Sequence, residues 1–252
     1  MSARLAPSPL LENVRLKLAD GAETTLRVAR FDRARFGVRV VAIEPRSTLL
    51  RWCAETGNEH ALIGGFYMRP GGPPLGDVRI DGRAHRIEPF DAPWDGLRAC
   101  VHAEDGRVAL APRCDLPAEP GGDLLQAGPM LVGGGASLIR PGEDAEGFSA
   151  GSRQFDSDIT AGRYPRAALG LAEGELLAVV CEGRADDEAG LSMAELAEAL
   201  VGLGASAAIN LDGGGSATLV VGGHLVNVPR EAHGKELAGG REISTALRFV
   251  AH

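Results

Sequence analysis

The sequence predicts a single α+β domain built on a mixed, largely antiparallel sheet with a few packed helices. Short apolar segments with the two-residue alternation of half-buried strands greatly outnumber helical patterns. Turn signals separate these segments, and they draw on 35 Gly and 15 Pro among 252 residues. Strands and helices do not alternate regularly, as they would in a parallel βαβ sheet.

Most elements of the first half are predicted strands. Asp20-Gly21 and Glu104-Asp105-Gly106 are turn signals between pairs of such segments, and they predict two hairpins. A further surface hairpin is predicted over residues 76–87. The predicted strands lie at residues 12–18, 24–29, 36–43, 61–67, 97–102, 107–111 and 124–132.

Two helices are predicted from signals at their ends. The first covers residues 47–55, with Ser47 or Thr48 as its cap and Gly57 just past its end. The second follows Ser192, where the sequence Ser-Met-Ala-Glu has the pattern of a capping box. The apolar positions that mark one face of this helix are Met193, Leu196, Leu200 and Leu203.

The last third combines further strands with one long loop. Residues 140–163 have no period and many Gly, Ser and Asp residues, and loops of this length in a compact domain are often functional. The predicted strands lie at residues 168–171, 176–181, 207–211, 217–221, 224–228 and 243–250.

Composition and charge exclude several classes of protein. The chain has 26 Lys and Arg against 34 Asp and Glu, a net charge of −8, and no long basic run, so nucleic acid is not an expected partner. No stretch reaches the roughly 18 apolar residues of a membrane helix, and residues 1–20 lack an apolar signal-peptide core. As given, the chain is predicted to be cytoplasmic with no membrane partner. Export directed by a segment upstream of Met1 and the oligomeric state stay open.

Common metal and cofactor motifs are missing from the sequence. The four cysteines form no Cys-x-x-Cys pair, and the six histidines have no HxH, HxxxH or HExxH spacing. No P-loop or Gly-x-Ser-x-Gly motif occurs, and the GxGxxA-like residues 202–207 follow a helix rather than a strand. We therefore expect no metal and no cofactor.

One segment has the composition of a ligand-binding turn, the sequence NLDGGGS at residues 210–216. Asp212 ends a predicted buried strand, so its carboxylate would be held at the rim of the sheet. Three glycines let the backbone approach a ligand and present N–H donors, and the hydroxyl of Ser216 adds another. On its chemistry alone, the segment is explained equally well as a tight turn capped by Asp212.

The same segment resembles the phosphodiester glycosidase family. The sequence NLDGGGSATLVV at residues 210–221 is followed by REISTAL at 241–247, and four further landmarks of the family precede it in order. These landmarks are IGGFY at 63–67, AGPMLVGGG at 127–135, YPRAALG at 164–170 and EGR at 182–184. We expect one domain over residues 1–252, with a strand-rich lead-in at 1–60 and a family-like core at 61–252.

The resemblance implies an enzyme that hydrolyses the glycosidic bond of a sugar-1-phosphodiester, with the phosphate held by arginines and the glycine loop. Arginine suits this role because its guanidinium forms two-point hydrogen bonds with phosphate. The implied catalytic carboxylate is Asp212 first and Glu182 second, as nucleophile, as activator of water or as stabiliser of an oxocarbenium-like centre. The implied substrate-binding residues are Arg166, Arg184, Arg241, Gly213, Gly214, Gly215 and Ser216.

Three departures from the family pattern support an alternative function. Ile63 stands where the family has Asn, Ala167 where it has Thr, and Glu182 where it has Asp. Loss of an amide and a hydroxyl would remove polar contacts from a pocket. The alternative is therefore a non-catalytic protein that binds a phosphorylated or anionic glycan. A phosphodiesterase that cleaves the P–O bond is a further alternative.

Overall fold

The computed structural model describes residues 8–68, 71–140, 143–147 and 162–252. Most of the long loop predicted at residues 140–163 lies outside these ranges. The α-helices of the described residues are α1 Leu49–Thr56, α2 Trp94–Leu97 and α3 Met193–Gly202. Their strands are β1 Leu10–Lys17, β2 Glu23–Asp32, β3 Phe36–Ser47, β4 Ala61–Ile63, β5 Val78–Ile80, β6 Arg83–Ala84, β7 Ala99–Glu104, β8 Arg107–Pro112, β9 Asp123–Gln126, β10 Met130–Gly133, β11 Ala136–Ser137, β12 Arg166–Ala172, β13 Glu175–Cys181, β14 Ala207–Asn210, β15 Leu219–Val221, β16 His224–Leu225 and β17 Ile243–Ala251.

The strands form three sheets rather than one. A seven-stranded sheet has the order β1-β2-β13-β12-β14-β10-β11, and two five-stranded sheets have the orders β16-β15-β4-β17-β3 and β6-β5-β9-β7-β8. Every ladder between these strands is antiparallel. Among the described residues, a parallel pairing occurs only at the isolated bridge between Leu75 and Glu88. The predicted α+β, largely antiparallel fold class is confirmed.

The predicted hairpins are present. β1 pairs with β2 from Leu10 opposite Arg30 to Lys17 opposite Glu23, and the connecting turn contains Gly21 at φ 87°. A positive φ costs glycine little because it has no Cβ. The pairs β5–β6 and β7–β8 form the other two hairpins.

Both predicted helices begin at the expected caps. The Thr48 hydroxyl accepts the N–H of Arg51 at the start of α1, and Gly57 ends the helix at φ 69°. At the start of α3 the Ser192 hydroxyl accepts the N–H of Glu195, while the Glu195 carboxylate accepts the N–H of Ser192. This reciprocal pair is the capping box, and it satisfies two amides that the first helical turn leaves without partners.

The core is mainly aliphatic, with a small group of aromatic rings around Phe31, and lies between the sheets and helices. α1 contacts β3, β4 and β15, and α3 packs on β10 and β11. Strands from the first 60 residues belong to the seven-stranded sheet and to one five-stranded sheet, because β2 pairs with β13 and β3 pairs with β17. No helix in the described part of the chain is long and apolar enough to cross a membrane.

Candidate functional site

Three candidate residues meet at one edge of the seven-stranded sheet. Arg166 begins β12, Glu182 follows β13 directly, and Asp212 lies two residues beyond β14. Because β12 is antiparallel to both neighbours, its first residues lie beside the last residues of β13 and β14. The topology thus brings together residues that are up to 46 positions apart in sequence.

Asp212 is held firmly at this edge. The residue is only 8% exposed. Its backbone N–H donates to the carbonyl of Gly64 at 3.1 Å, and its Oδ1 accepts the N–H of Gly213 at 2.9 Å. Gly64 has to be small here, since a Cβ would lie 2.5 Å from Oγ1 of Thr245. The predicted buried strand at residues 207–211 is present as β14, which ends at Asn210, two residues before Asp212.

The glycine loop folds back on itself as a short 3₁₀ turn over Gly214–Ser216. The N–H of Gly214 donates to the carbonyl of Pro165 at 2.8 Å, and the N–H of Ser216 donates to the carbonyl of Gly213 at 3.2 Å. With the Gly213 N–H bound to Asp212, three N–H groups of the loop have acceptors within the protein. The expectation of a dense set of amides facing a ligand is corrected for these three groups, because each already donates to an acceptor of the protein.

Missing side chains in the loop instead leave room for guanidinium groups. A Cβ on Gly214, which has φ 59°, would lie 3.4 Å from Nη1 of Arg184. A Cβ on Gly215 would lie 3.0 Å from Nε of Arg241 and 2.9 Å from Oε1 of Glu231. Two of the three predicted arginines therefore lie directly on the face of the glycine loop.

Arg184 and Arg241 converge on the carboxylate of Glu231. Both Nε and Nη2 of Arg241 donate to Glu231, and Nη1 of Arg184 lies 3.7 Å from Glu231 Oε2. Although burial opposes it, the hydrogen bonds from Arg241 to Glu231 hold the pKa of Arg241 above its ordinary value. Arg184 has φ 62°, an uncommon conformation for a residue with a side chain, and Nη1 also donates to the Arg230 carbonyl at 3.0 Å.

The third arginine, Arg166, lies deeper. It is 1% exposed, and its Nε and Nη2 donate to the carbonyls of Leu191 and Gly162 at 2.8 and 2.9 Å. Burial lowers the pKa of Arg166 to about 10, so the group is still a cation at neutral pH. The guanidinium carbons of Arg166 and Arg184 lie 5.4 and 5.5 Å from the ring centre of Tyr164, which joins the two arginines through cation–π contacts.

Glu182 is buried between two arginines that are not among the predicted site residues, Arg27 and Arg230. Oε1 lies 3.2 Å from Nε of Arg27, Oε2 lies 3.5 Å from Nη1 of Arg230, and the N–H of Val228 donates to the carboxylate. Burial raises the pKa of Glu182, although these contacts oppose the shift. Through Arg230, Glu182 is connected to the arginine pair, since the Arg230 carbonyl accepts from Arg184.

Three residues beside the loop were missed by the sequence reasoning: Glu231, Tyr164 and Tyr67. The Tyr67 hydroxyl lies 3.4 Å from Oγ of Ser216, and the guanidinium carbon of Arg46 lies 4.5 Å from the centre of the Tyr67 ring. Tyr67 and Tyr164 stand within the family landmarks, which was the available signal. Glu231 had none, because it lies outside the family landmarks and no motif in the sequence connects it with Arg241.

Two of the three positions that depart from the family pattern are apolar and buried. Ile63 in β4 and Ala167 in β12 are both 0% exposed and belong to the aliphatic core. Across the described ranges, no three His, Cys, Asp or Glu residues are grouped so that they could hold a metal ion. The polar groups of the site are therefore the arginines, carboxylates and hydroxyls described above.

This arrangement defines a class of site in which a rigid carboxylate lies next to a glycine turn covered by two arginines. A family model for phosphodiester glycosidases matches residues 56–250. The match covers well over half of the chain, and the protein belongs to the phosphodiester glycosidase family.

One curated relative is similar to this chain in sequence, and two solved structures are similar to it in fold. The mouse (Mus musculus) N-acetylglucosamine-1-phosphodiester alpha-N-acetylglucosaminidase is 29% identical over 188 residues, which are 74% of this chain and 36% of the relative. The chain thus spans 36% of the length of that relative.

Both solved structures share the fold at low sequence identity. The catalytic domain of the zebrafish N-acetylglucosamine-1-phosphodiester alpha-N-acetylglucosaminidase, auto-inhibited by its pro-peptide, has a TM-score of 0.72 at 20% identity, covering 98% of this chain and 84% of that one. A hypothetical protein from Synechocystis has a TM-score of 0.66 at 16% identity, covering 97% of this chain and 62% of that one. At such identities the likeness concerns the fold alone.

Proposed function

We propose that this protein hydrolyses the glycosidic bond of a sugar-1-phosphodiester, with Arg184 and Arg241 as the phosphate ligands and Asp212 as the catalytic carboxylate. Family membership supports the reaction class. The mouse relative, by its name, acts on an N-acetylglucosamine-1-phosphodiester, which makes that sugar the first substrate to try.

The observation that carries the proposal is the contact of two guanidinium groups with the glycine turn that follows Asp212. Gly214 and Gly215 lack the Cβ atoms that would separate the turn from Arg184 and Arg241. A phosphate on this face would meet both cations beside Asp212, whose backbone N–H donates to the Gly64 carbonyl and whose carboxylate accepts the Gly213 N–H. The proposed role of the glycine loop is to leave space in which Arg184 and Arg241 can lie against the turn.

The arginines and the carboxylate would divide the reaction between them. The bond between the anomeric carbon and the bridging oxygen breaks, and its electron pair leaves with a phosphate monoester. Arg184 and Arg241 stabilise the negative charge that develops on this leaving group, and they stay protonated at any working pH. Asp212 stabilises the positive charge on the sugar, as nucleophile or by activating the water that supplies the new hydroxyl.

Contacts of the other candidates support this choice of residues. Glu182 is surrounded by Arg27, Arg230 and the Val228 N–H, which favours Asp212 as the catalytic carboxylate. Arg166 donates to two backbone carbonyls, and we infer that it supports the site through Tyr164.

The experiment is a turnover assay with methyl diesters of N-acetylglucosamine, glucose, galactose and mannose 1-phosphates, in which free sugar is measured. Asp212→Asn should lower kcat at least a thousandfold at an unchanged melting temperature, because an amide keeps an acceptor for the Gly213 N–H but carries no charge. Asp186→Asn makes the same change at an exposed position and should stay fully active. Full activity of Asp212→Asn would refute its catalytic role.

The buried apolar side chains of Ile63 and Ala167 favour a second candidate, a non-catalytic protein that binds an anionic glycan. It predicts that a diester raises the melting temperature without any release of sugar. The remaining alternative is a phosphodiesterase that cleaves the P–O bond. Turnover in water labelled with oxygen-18 distinguishes it from a glycosidase, because a glycosidase puts the label in the sugar and a phosphodiesterase puts it in the phosphate.

A further inference from the structure

We propose that Glu231 is a specificity residue that makes the site select the monoanion of a phosphodiester over the dianion of a phosphate monoester. The inference rests on the proposed function, because it concerns the same anion site. Glu231 would act through its charge on the phosphate group and through the orientation that it imposes on Arg241.

The geometry places Glu231 where it can influence both phosphate ligands. It takes two hydrogen bonds from one edge of Arg241, and its Oε2 lies 3.7 Å from Nη1 of Arg184. A Cβ on Gly215 would lie 2.9 Å from Glu231 Oε1, so this carboxylate lies directly on the glycine turn. An anion held there by the two arginines would share them with Glu231.

The loop that carries Glu231 is fixed in this place. The N–H of Glu231 donates to the Lys235 carbonyl at 2.8 Å, and the N–H of Leu237 donates to the Pro229 carbonyl at 2.9 Å. Gly234 packs so tightly that a Cβ would lie 2.9 Å from the carbonyl oxygen of Arg184. Glu231 is 29% exposed by its side chain, so solvent screens its charge only in part.

The charges of the site match a single negative charge. Arg184 and Arg241 together with Glu231 leave one net positive charge. Adding the buried cation Arg166 and the carboxylate Asp212 does not change this balance. A diester brings one negative charge, whereas a monoester above its second pKa of about 6 brings two, and its additional charge would repel Glu231.

The same balance agrees with the proposed reaction. During cleavage the phosphate gains a negative charge while the sugar gains a positive one, so the total charge of the reacting groups stays the same. Once the diester has been hydrolysed and the proton from the attacking water has been released, the monoester product has two negative charges. Glu231 would therefore repel the product more strongly than the diester and speed product release.

Binding of two uncleavable analogues tests this inference without depending on turnover. In both, a CH₂ group replaces the oxygen that bridges N-acetylglucosamine and phosphorus; one is the free phosphonate, a dianion at pH 9, and the other is its methyl ester, a monoanion. Dissociation constants from calorimetry are compared for the wild type, Glu231→Gln and Glu236→Gln. Glu236 lies on the same loop, is 66% exposed and pairs with Arg230, so its variant makes an equal change of charge away from the glycine turn.

The wild type and Glu236→Gln should bind the methyl ester at least tenfold more tightly than the phosphonate. In Glu231→Gln this preference should fall at least tenfold, chiefly through tighter binding of the phosphonate. Glu231→Asp, which keeps the charge, should keep the preference for the ester. An unchanged preference in a folded Glu231→Gln, equal binding of the two analogues by the wild type, or binding of neither would overturn the inference, while sugar release from a diester would still support the proposed function.

Discussion

Replacement of Leu200 by Ala is a quantitative test of how α3 closes the core. Leu200 is 0% exposed and shares the buried face of α3 with Met193, Leu196 and Ala197, while the helix packs on β10 and β11. The substitution removes three carbon atoms, a transfer loss of roughly 2.4 kcal/mol at about 0.8 kcal/mol per buried CH₂. A cavity that does not collapse raises the cost to about 5 kcal/mol.

This loss is large enough for a thermal assay. At about 2–4 °C per kcal/mol for a chain of this size, Leu200→Ala should lower the melting temperature by roughly 5–20 °C. Urea unfolding at 25 °C should show the same loss with an unchanged m value. Glu198→Ala, two residues away on the exposed face, is the control and should change stability by less than about 0.5 kcal/mol. A melting temperature of Leu200→Ala within 1 °C of wild type would refute the assigned helix face.

Three further predictions concern the cap of α3 and the arginine pair. Ser192→Ala should cost about 1 kcal/mol in urea unfolding, because the hydroxyl accepts the N–H of Glu195; no loss would show that the capping box adds nothing. Although burial opposes it, hydrogen bonds from Arg163 and Ser192 hold the pKa of Glu195 below its ordinary value of 4.5, so its charge stabilises the fold above pH 4.5 and less as the pH falls through the lower folded pKa. The stability difference between wild type and Glu195→Gln should therefore be smaller at pH 3 than at pH 7, and an equal difference at both would contradict this assignment. Arg184→Lys should lower kcat/KM for a diester about tenfold to a hundredfold, since an ammonium lacks the planar fork that binds phosphate at two points; an unaffected kcat/KM would remove Arg184 from the site.

Local patterns in the sequence predicted much of the fold. The alternation in residues 12–18 and 24–29 requires one polar and one apolar face, and the structure has the corresponding β1–β2 hairpin. Helix ends were predictable for the same reason, since a cap such as Thr48 or Ser192 bonds to amides three residues away. Each of these signals involves groups that are neighbours in the chain.

The division into three sheets was not predictable in this way. Strand β2 pairs with β13 about 150 residues further on, and β3 pairs with β17 across roughly 200 residues. Alternation predicts that a strand has a buried face, but it does not say which strand covers it. Only packing of the whole chain selects those partners.

For the candidate site, the residue types were predictable from the chain alone: the Asp-Gly-Gly-Gly-Ser segment, three arginines and two acidic residues occur in the order of a known family. Tertiary structure alone decided their surroundings. It buried Arg166 under Tyr164, enclosed Glu182 between two other arginines, and brought Glu231 onto the same glycine turn as Arg184 and Arg241. The physical reason is that charge pairing and desolvation depend on distances in space, and antiparallel strands bring distant residues together at one edge without leaving a period in the sequence.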